Sequence, residues 1–355
     1  SEDHLHAVER ADALVVLEPA PHVSRYGQLV DLTATVEVLE PGAAAASGSV
    51  EFFAGDRSLG TTEVITPDPA PPALLPDSEA VPPAPVHTEG TASVQVADLQ
   101  VGEHEVVAVY SGNDDVHPAS SQEELLTVEI ADVTVSVEAE PTPSVFGQQV
   151  ELTSDVAAAH DSELVPTGAV IFEVDGTDLG DPVELEQGVA TLEVSDMAVG
   201  DRDILVRYLG DAGHTETASQ VHEHEVAPGQ TSTELSLSET EIGEGDAANL
   251  SAVVDVLDPA RGLPIGTVEF LVDGEPVGEP VELTSGIDVN GADAWHSTTA
   301  AFELDELQPG TYLVQAQYSG EENFTGSDSA EVVLTVTEQP PAGPSAPAGG
   351  LPRTG

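Results

Sequence analysis

The chain has 355 residues, of which 66 are acidic and 7 are basic, and its net charge at neutral pH is −59. Nucleic acids and anionic membranes bind lysine and arginine, so this charge excludes both as partners. The chain has no cysteine, which excludes disulfides and thiolate chemistry, and no run of about 18 apolar residues that would predict a membrane span in this segment.

The first ten residues match the end of a repeat. The spacing of 26 residues from Ser1 to Gly27 recurs between Ser121 and Gly147. Residues 1–10 are therefore predicted to be the terminal strand of a missing upstream repeat, and we expect a longer protein with at least one more repeat before this one. The alternative is an unpaired N-terminal arm.

Three longer segments carry the same landmarks in the same order. A glycine precedes an alternating apolar strand, and 21 residues later a second glycine opens a strand that contains a phenylalanine. A hairpin turn follows, then a glycine eight residues before a tyrosine, and a serine eleven residues after that tyrosine. The landmarks are Gly27, Gly48, Phe52, Ala54-Gly55, Gly102, Tyr110 and Ser121; Gly147, Gly168, Phe172, Asp175-Gly176, Gly200, Tyr208 and Ser219; and Gly245, Gly266, Phe270, Asp273-Gly274, Gly310, Tyr318 and Ser329.

These landmarks predict about seven short strands in each segment and no helix. We expect an all-β chain of three tandem immunoglobulin-like antiparallel β-sandwiches in an elongated array. The repeats are predicted at residues 11–130, with a Pro-rich insertion at 66–89, at residues 131–228 and at residues 229–338. The insertion is expected to be disordered or a spacer, although a loop of this length is alternatively functional.

Alternation along the strands also predicts which side chains face inward. In the first repeat these are Val106, Ala108 and Tyr110, and in the third Leu313 and its same-face neighbours. Tyr312 lies two residues after a landmark glycine, where a tyrosine corner ties a strand to the preceding loop. The residues His104 and Arg202 take that place in the other two repeats.

The end of each segment resembles the bacterial Ig-like repeats found in tandem on surface proteins. In the first segment the matching residues are Leu99, Gly102, Tyr110, Gly112 and Ser121. The resemblance covers nearly all of the chain before residue 338. It implies a structural or adhesive module with no shared catalytic residues, so we expect that the chain is not an enzyme.

Three features are candidate ligand sites. In the third repeat Asp288, Asn290 and Asp293 are spaced vaguely like a calcium loop, but a simple Asn-Gly turn is the preferred interpretation. Trp295 either caps this loop or contacts a ligand or glycan. The histidine pairs His4 with His6 and His222 with His224 each lie on one strand face; packing in the core is preferred over a weak metal site. No other cofactor is expected.

Residues 339–355 are predicted to be a flexible, disordered Pro/Gly/Ala tail. It ends in Leu351-Pro352-Arg353-Thr354-Gly355, which resembles the sorting signal of Gram-positive surface proteins. The resemblance implies that a sortase recognises Leu351, Pro352, Thr354 and Gly355 and transfers the threonine acyl group to cell-wall peptidoglycan. The expected location is secreted and cell wall anchored. The absence of lysine excludes lysine-based isopeptide locks and pilus polymerisation.

The sequence therefore favours a non-catalytic, monomeric, cell-wall-anchored surface stalk that projects an upstream region from a Gram-positive cell. One alternative is an adhesin whose repeats themselves bind a host surface protein or glycan. Another gives the acidic residues a role in binding calcium at the junctions between repeats.

Overall fold

The computed structural model describes residues 9–42, 44–66, 88–285 and 297–338. Within these ranges all of the regular structure is β-strand, and the strands fall into three consecutive repeats. Each repeat has one sheet of three or four strands and a second sheet of six or seven. The prediction of an all-β chain of tandem immunoglobulin-like sandwiches is confirmed.

The strands have the following bounds. Repeat 1 contains β1 (Ala13–Ala20), β2 (Val23–Arg25), β3 (Val30–Val38), β4 (Ser49–Ala54), β5 (Arg57–Glu63), β6 (Glu89–Val96), β7 (Gly102–Tyr110), β8 (Ala119–Ser120) and β9 (Glu124–Glu129). Repeat 2 contains β10 (Val133–Glu140), β11 (Ser144–Val145), β12 (Val150–Ala158), β13 (Ala169–Val174), β14 (Thr177–Asp178), β15 (Val183–Glu184), β16 (Val189–Val194), β17 (Gly200–Tyr208), β18 (Thr217–Ala218) and β19 (His222–Ala227). Repeat 3 contains β20 (Thr231–Leu237), β21 (Glu241–Gly243), β22 (Ala248–Val256), β23 (Thr267–Val272), β24 (Glu275–Glu282), β25 (Thr284–Ser285), β26 (Ser297–Leu304), β27 (Gly310–Tyr318), β28 (Ser327–Asp328) and β29 (Val332–Thr337).

The sheet order is nearly the same in each repeat. The first sheets run β1-β3-β6, β10-β12-β16 and β20-β22-β26-β25. The second sheets run β2-β9-β7-β4-β5, β11-β19-β17-β13-β14 and β21-β29-β27-β23-β24. Antiparallel pairing dominates, but one parallel pair in each repeat joins the short second strand to the last strand: β2 with β9, β11 with β19 and β21 with β29.

The chain divides into two compact units, and the boundary passes through repeat 2. The first unit consists of Ser1–Val137, Thr153–Thr191 and Leu205–Val221. The second consists of Glu138–Leu152, Leu192–Ile204 and His222–Gly355. The first unit therefore includes the connection from repeat 1 to repeat 2, and the second unit includes the connection from repeat 2 to repeat 3.

Apolar side chains at alternate positions form the interior of the repeats. Along β3 every second residue from Val30 to Val38 is buried, which is the period of a strand with one face in the core. The largest fully buried side chains include Phe52 and Tyr110 in repeat 1, Phe172 and Tyr208 in repeat 2, and Phe270, Tyr318 and Phe324 in repeat 3. Full burial of one phenylalanine contributes roughly 1.5 to 3 kcal/mol, so these recurring rings are main contributors to folding.

The predicted inward set is confirmed in repeat 1 and wrong in repeat 3. Val106, Ala108 and Tyr110 are fully buried. Leu313 instead points outward, is 40% exposed and pairs with Val333, itself 50% exposed. The reason is parity: the buried Tyr318 places the even-numbered residues of β27 inward, and Leu313 lies on the opposite face.

The predicted tyrosine corner is present. The Tyr312 hydroxyl donates to the Gln308 carbonyl at 2.8 Å. His104 makes the equivalent bond through Nε2, 2.7 Å from the carbonyl of Gln100, and Arg202 donates from Nη2 to a carbonyl three residues upstream at 3.3 Å. Three different side chains therefore tie the same strand to the loop before it.

Two of the three hairpin turns are formed by the predicted pairs of residues. Asp175 and Gly176 have φ values of 50° and 74°, and the corresponding residues of repeat 3 have 52° and 82°, as a tight hairpin requires. In repeat 1 the predicted pair is shifted by one residue. Ala54 ends β4 and pairs with Arg57, so the turn is Gly55-Asp56, because the glycine accepts the positive φ that alanine resists.

The tyrosine and serine landmarks hold the second sheet together. The Tyr208 and Tyr318 hydroxyls donate at 2.7 Å to the carbonyls of Thr167 and Ile265, each just before a landmark glycine, and Tyr110 donates to Ser47. The serine Oγ atoms accept from strand N–H groups; that of Ser329 accepts from Ala316 at 2.9 Å. These bonds satisfy buried polar groups, which explains the fixed spacing.

Candidate functional site

Several residues that the sequence singles out lie outside the described residues. They are the sorting residues Leu351, Pro352, Thr354 and Gly355, the candidate calcium residues Asp288, Asn290 and Asp293, the loop residue Trp295, and His4 and His6. The Pro-rich insertion is described only at residues 66 and 88–89. The roles assigned to these residues stay predictions.

The described histidine pair lies on β19, and its inner member is part of the core. His224 is 1% exposed. The Thr142 hydroxyl lies 2.8 Å from its Nδ1, and the Ser144 hydroxyl lies 2.8 Å from its Nε2. Burial, and after it the charge of His222, lowers the pKa of His224. A neutral imidazole with both nitrogens engaged has no free lone pair for a metal, so packing accounts for this residue.

Across the described ranges, no group of three or more histidine, cysteine, aspartate or glutamate side chains is arranged to hold a metal ion. The calcium interpretation of the acidic surface gains no site from these residues.

The feature that sets this chain apart from a single domain is the connection between repeats. β9 ends at Glu129. Two residues later, the N–H of Ala131 donates to the Gly213 carbonyl at 2.8 Å, and the Ala131 carbonyl accepts from the Thr215 N–H at 2.9 Å. Ala131 is therefore fixed to a loop of repeat 2, and Ile130 alone separates it from the last strand of repeat 1.

The second connection has the same design. β19 ends at Ala227. The Gly229 N–H donates to the Asn323 carbonyl at 2.8 Å, and the Gly229 carbonyl accepts from the Thr325 N–H at 2.9 Å. The one residue left between them is Pro228, whose ring fixes φ. Both connections are thus one residue long between anchored ends.

Asp211 shapes the loop that holds the first connection. Its carboxylate accepts from the Thr167 N–H at 2.9 Å, from the Gly213 N–H at 2.8 Å and from Nδ1 of His214 at 2.9 Å. Burial alone would raise the pKa of Asp211, but these hydrogen bonds outweigh it and hold that pKa well below its usual range. A carboxylate that is charged and multiply bonded fixes the loop at the point where Ala131 binds.

Sequence analysis missed these connecting residues. A signal was available, because Gly213 and Asn323 each lie five residues after a landmark tyrosine, and Ala131 and Gly229 each lie two residues before a first strand. The bonds are between backbone atoms, however, and every residue except proline offers the same N–H and carbonyl. Residue types alone therefore leave such contacts unmarked.

Comparison with protein families identifies the second and third repeats. Residues 137–227 and 235–337 match the bacterial Ig-like domain family, group 3. The two matches take in more than half of the chain. The chain belongs to the bacterial Ig-like domain (group 3) family. Within this Ig-like chain the matched ranges begin inside β10 and β20 and end with the last residues of β19 and β29.

Several solved structures are similar to the Ig-like chain at low identity. The adhesin FdeC of Escherichia coli is 14% identical, with 94% of this chain and 99% of that chain covered and a TM-score of 0.27. A multidomain fragment of titin is 11% identical, with 92% and 99% covered and a TM-score of 0.32. A Corynebacterium diphtheriae protein named as membrane anchored is 13% identical, with 89% and 91% covered and a TM-score of 0.25.

A search among curated proteins finds no sequence match for the Ig-like chain. The described residues include no helix that is long and apolar enough to cross a lipid bilayer.

Proposed function

We propose that this Ig-like chain is a non-catalytic stalk of a secreted surface protein, anchored to the wall of a Gram-positive cell through residues 351–355. In this role the three repeats hold the N-terminal part of the protein away from the wall.

The single observation that carries the proposal is the length of the connections. A long, flexible linker would let neighbouring sandwiches tumble independently and would shorten the average span of the chain. Here Ile130 is the one residue between Glu129, at the end of a strand, and Ala131, which is hydrogen-bonded to the next repeat. Pro228 has the same place in the second connection. So short a connection restricts how far each repeat turns on its neighbour.

The roles of the recurring polar residues support a non-catalytic protein. The hydroxyls of Tyr208 and Tyr318 donate hydrogen bonds to backbone carbonyls in the interior. Ser329 both accepts from Ala316 and donates to the carbonyl of Ala330 at 2.9 Å. The hydrogen bonds that these recurring tyrosine and serine side chains make therefore stabilise the fold. Stability of the fold is what a stalk requires of its repeats.

Small-angle X-ray scattering of the full chain tests the stalk. Strands of nine residues that rise about 3.3 Å per residue, with loops at both ends, give each sandwich a length of about 40 Å and three in line about 120 Å. The radius of gyration of such a rod is about 35 Å, whereas a compact chain of 355 residues has about 20 Å. A value near the compact one would contradict the proposal.

A matched pair of insertions separates the connections from the repeats. Four flexible residues inserted between Ile130 and Ala131 are expected to broaden the distribution of interatomic distances. The same four residues inserted after Gly55, in an exposed hairpin turn, are expected to leave it unchanged. Equal effects of both insertions would show that the connection does not limit the span.

A further inference from the structure

A two-residue turn with the same backbone conformation follows the second strand of every repeat. We call it the strand-end turn: residues 26–27, 146–147 and 244–245. The N–H of its first residue, Tyr26, Phe146 or Glu244, donates at 2.9 Å to the carbonyl that ends the last strand of the same repeat. Its second residue is a glycine with a φ of 80°, 74° or 88°. The side chain at the first position is what varies.

In repeat 1 the strand-end turn contacts repeat 2. The Tyr26 and His214 rings meet edge to face, with centroids 5.3 Å apart and an interplanar angle of 87°. The Gly27 carbonyl accepts from the Glu163 N–H at 2.9 Å. Gly213 leaves space for the ring, because a Cβ at that position would lie 2.0 Å from Cδ1 of Tyr26. The loop of repeat 2 is therefore shaped to fit this ring.

In repeat 2 the strand-end turn also contacts the following repeat, but here its first residue accepts the hydrogen bond. The Phe146 and Phe324 rings meet with centroids 5.4 Å apart and an interplanar angle of 87°. The Phe146 carbonyl accepts from the Arg261 N–H at 3.2 Å. A Cβ on Gly262 would lie 3.0 Å from Phe324 and 3.3 Å from Phe146. Edge-to-face packing is one of the favourable geometries of aromatic rings, because the positive edge of one ring meets the negative face of the other.

Among the described residues, the strand-end turn of repeat 3 makes no such contact. Glu244 is exposed, and a Cβ built on Gly245 would meet no described heavy atom within 4 Å. By contrast, a Cβ on Gly147 would lie 2.1 Å from the Arg261 carbonyl oxygen. A carboxylate is costly to bury against a ring without a polar partner, so glutamate does not suit the docked position.

We infer that the strand-end turn is a docking element, in which an aromatic residue followed by glycine binds the N-terminal end of an Ig-like repeat. The partner is a repeat that presents a buried ring six residues after its landmark tyrosine, as His214 does after Tyr208 and Phe324 after Tyr318. Repeats 1 and 2 carry the docking residue, and repeat 3 does not.

A simpler explanation of the aromatic residue in the strand-end turn is that it only completes the core of its own repeat. The packing of the second junction argues against this explanation. Tyr26 does pack against the core of repeat 1. Phe146, however, packs against the core of repeat 3, although it belongs to repeat 2. The docking element goes beyond the stalk proposal, because an adhesive array would use the same contact.

Hydrogen exchange in the full chain tests the docking element through two reporter amides. The Glu163 N–H reports the first junction, and the Arg261 N–H reports the second. Gly213→Ala changes only the space for Tyr26, so it is expected to speed exchange at Glu163 about tenfold and to leave Arg261 unchanged. Tyr26→Ala is expected to act in the same way.

Phe146→Ala is expected to give the reverse pattern: faster exchange at Arg261 and an unchanged rate at Glu163. Glu244→Ala is the matched control at the undocked turn, and Asp115→Ala is the control at the position of repeat 1 that corresponds to Gly213; both are expected to change neither amide. The inference is overturned if Gly213→Ala leaves Glu163 exchange unchanged, or if each variant speeds both reporters equally. Because this readout is local, it is independent of the scattering test of the stalk.

Discussion

Ser144 and His224 are hydrogen-bonded inside repeat 2, with the serine Oγ 2.8 Å from Nε2 of the imidazole. The Thr142 hydroxyl is hydrogen-bonded to the other ring nitrogen, Nδ1. This arrangement suits a neutral ring, and burial lowers the pKa of His224 accordingly. Two hydroxyls next to one buried histidine therefore make the fold sensitive to acid.

We expect His224 to destabilise the folded chain as the pH falls through about 6.5, the pKa of a histidine in an unfolded chain. Below that value the unfolded state binds a proton that the folded state resists, so the free energy of unfolding decreases. His224→Gln keeps a side chain that hydrogen-bonds both hydroxyls but removes the titration. Urea unfolding of both proteins between pH 5 and pH 7.5 should show that the difference between their free energies of unfolding changes with pH. A difference that stays constant over this range would contradict this account.

The Tyr318 hydroxyl gives a second pH dependence at the alkaline end. Burial, and after it the charge of Glu321, raises the pKa of Tyr318 to about 12. Its contribution to stability is therefore complete below about pH 10, the unfolded value, and is lost as the pH rises toward 12. Tyr318→Phe should lower the free energy of unfolding by about 1 kcal/mol at neutral pH, because the Ile265 carbonyl loses its donor. The difference between the two proteins should shrink above pH 10 in chemical unfolding experiments.

Ser329→Ala should destabilise repeat 3 by about 1 to 3 kcal/mol, because it leaves the N–H of Ala316 buried without a partner. The control is Ser236→Ala, an exposed serine in the same repeat, which should change the free energy of unfolding by less than about 0.5 kcal/mol. Differential scanning calorimetry of both variants decides the matter. Similar melting temperatures for the two would mean that water or another group replaces the Ser329 hydroxyl.

Gly147→Ala and Gly245→Ala form a matched pair at equivalent turns. Both glycines have positive φ, 74° and 88°, so the strain of introducing a side chain is similar. A Cβ at Gly147 would also clash with the Arg261 backbone, whereas one at Gly245 meets no atom of the described ranges within 4 Å. We expect a larger drop in melting temperature for Gly147→Ala. Equal drops would indicate that the junction accommodates the methyl group without cost.

The sorting motif is tested by transpeptidation. With the chain extended by a C-terminal tag, a sortase cysteine is expected to attack the Thr354 carbonyl and release Gly355 with the tag. An added oligoglycine amine then takes the acyl group and forms a new amide bond. Mass spectrometry should show the tag replaced by oligoglycine, and Thr354→Ala should abolish the exchange. An unmodified chain with an active sortase would refute the recognition of residues 351–355.

The sequence predicts the landmarks well because each has a side-chain requirement. Tyr318 and Ser329 recur because their hydroxyls satisfy buried backbone groups, and Asp273-Gly274 recurs because the turn needs positive φ. The placing of Leu313 in the core is wrong although the sequence itself favours the other face. Leu313 shares its face with Gln315 and Gln317, whereas the opposite face ends in the buried Tyr318.

The connections are marked in the sequence by spacing alone and not by residue type. The bonds of Ala131 and Gly229 involve backbone atoms alone, and no residue type signals them. The aromatic contacts of Tyr26 and Phe146 left a trace, since both residues precede the landmark glycine. That trace identifies the turn but not its partner, which lies more than a hundred residues away in the sequence.

The parallel pairing of the second and last strands in each repeat determines how tension is carried. β2 and β9 run in the same direction and are joined over three residue pairs, from Val23 with Thr127 to Arg25 with Glu129. When the two ends of a repeat are pulled apart, β2 and β9 are drawn in opposite directions along their common axis. The hydrogen bonds between them are then loaded sideways and together, so they must break as a group rather than one after another. Stretching a repeat from its two ends therefore loads these three backbone pairs at the same time.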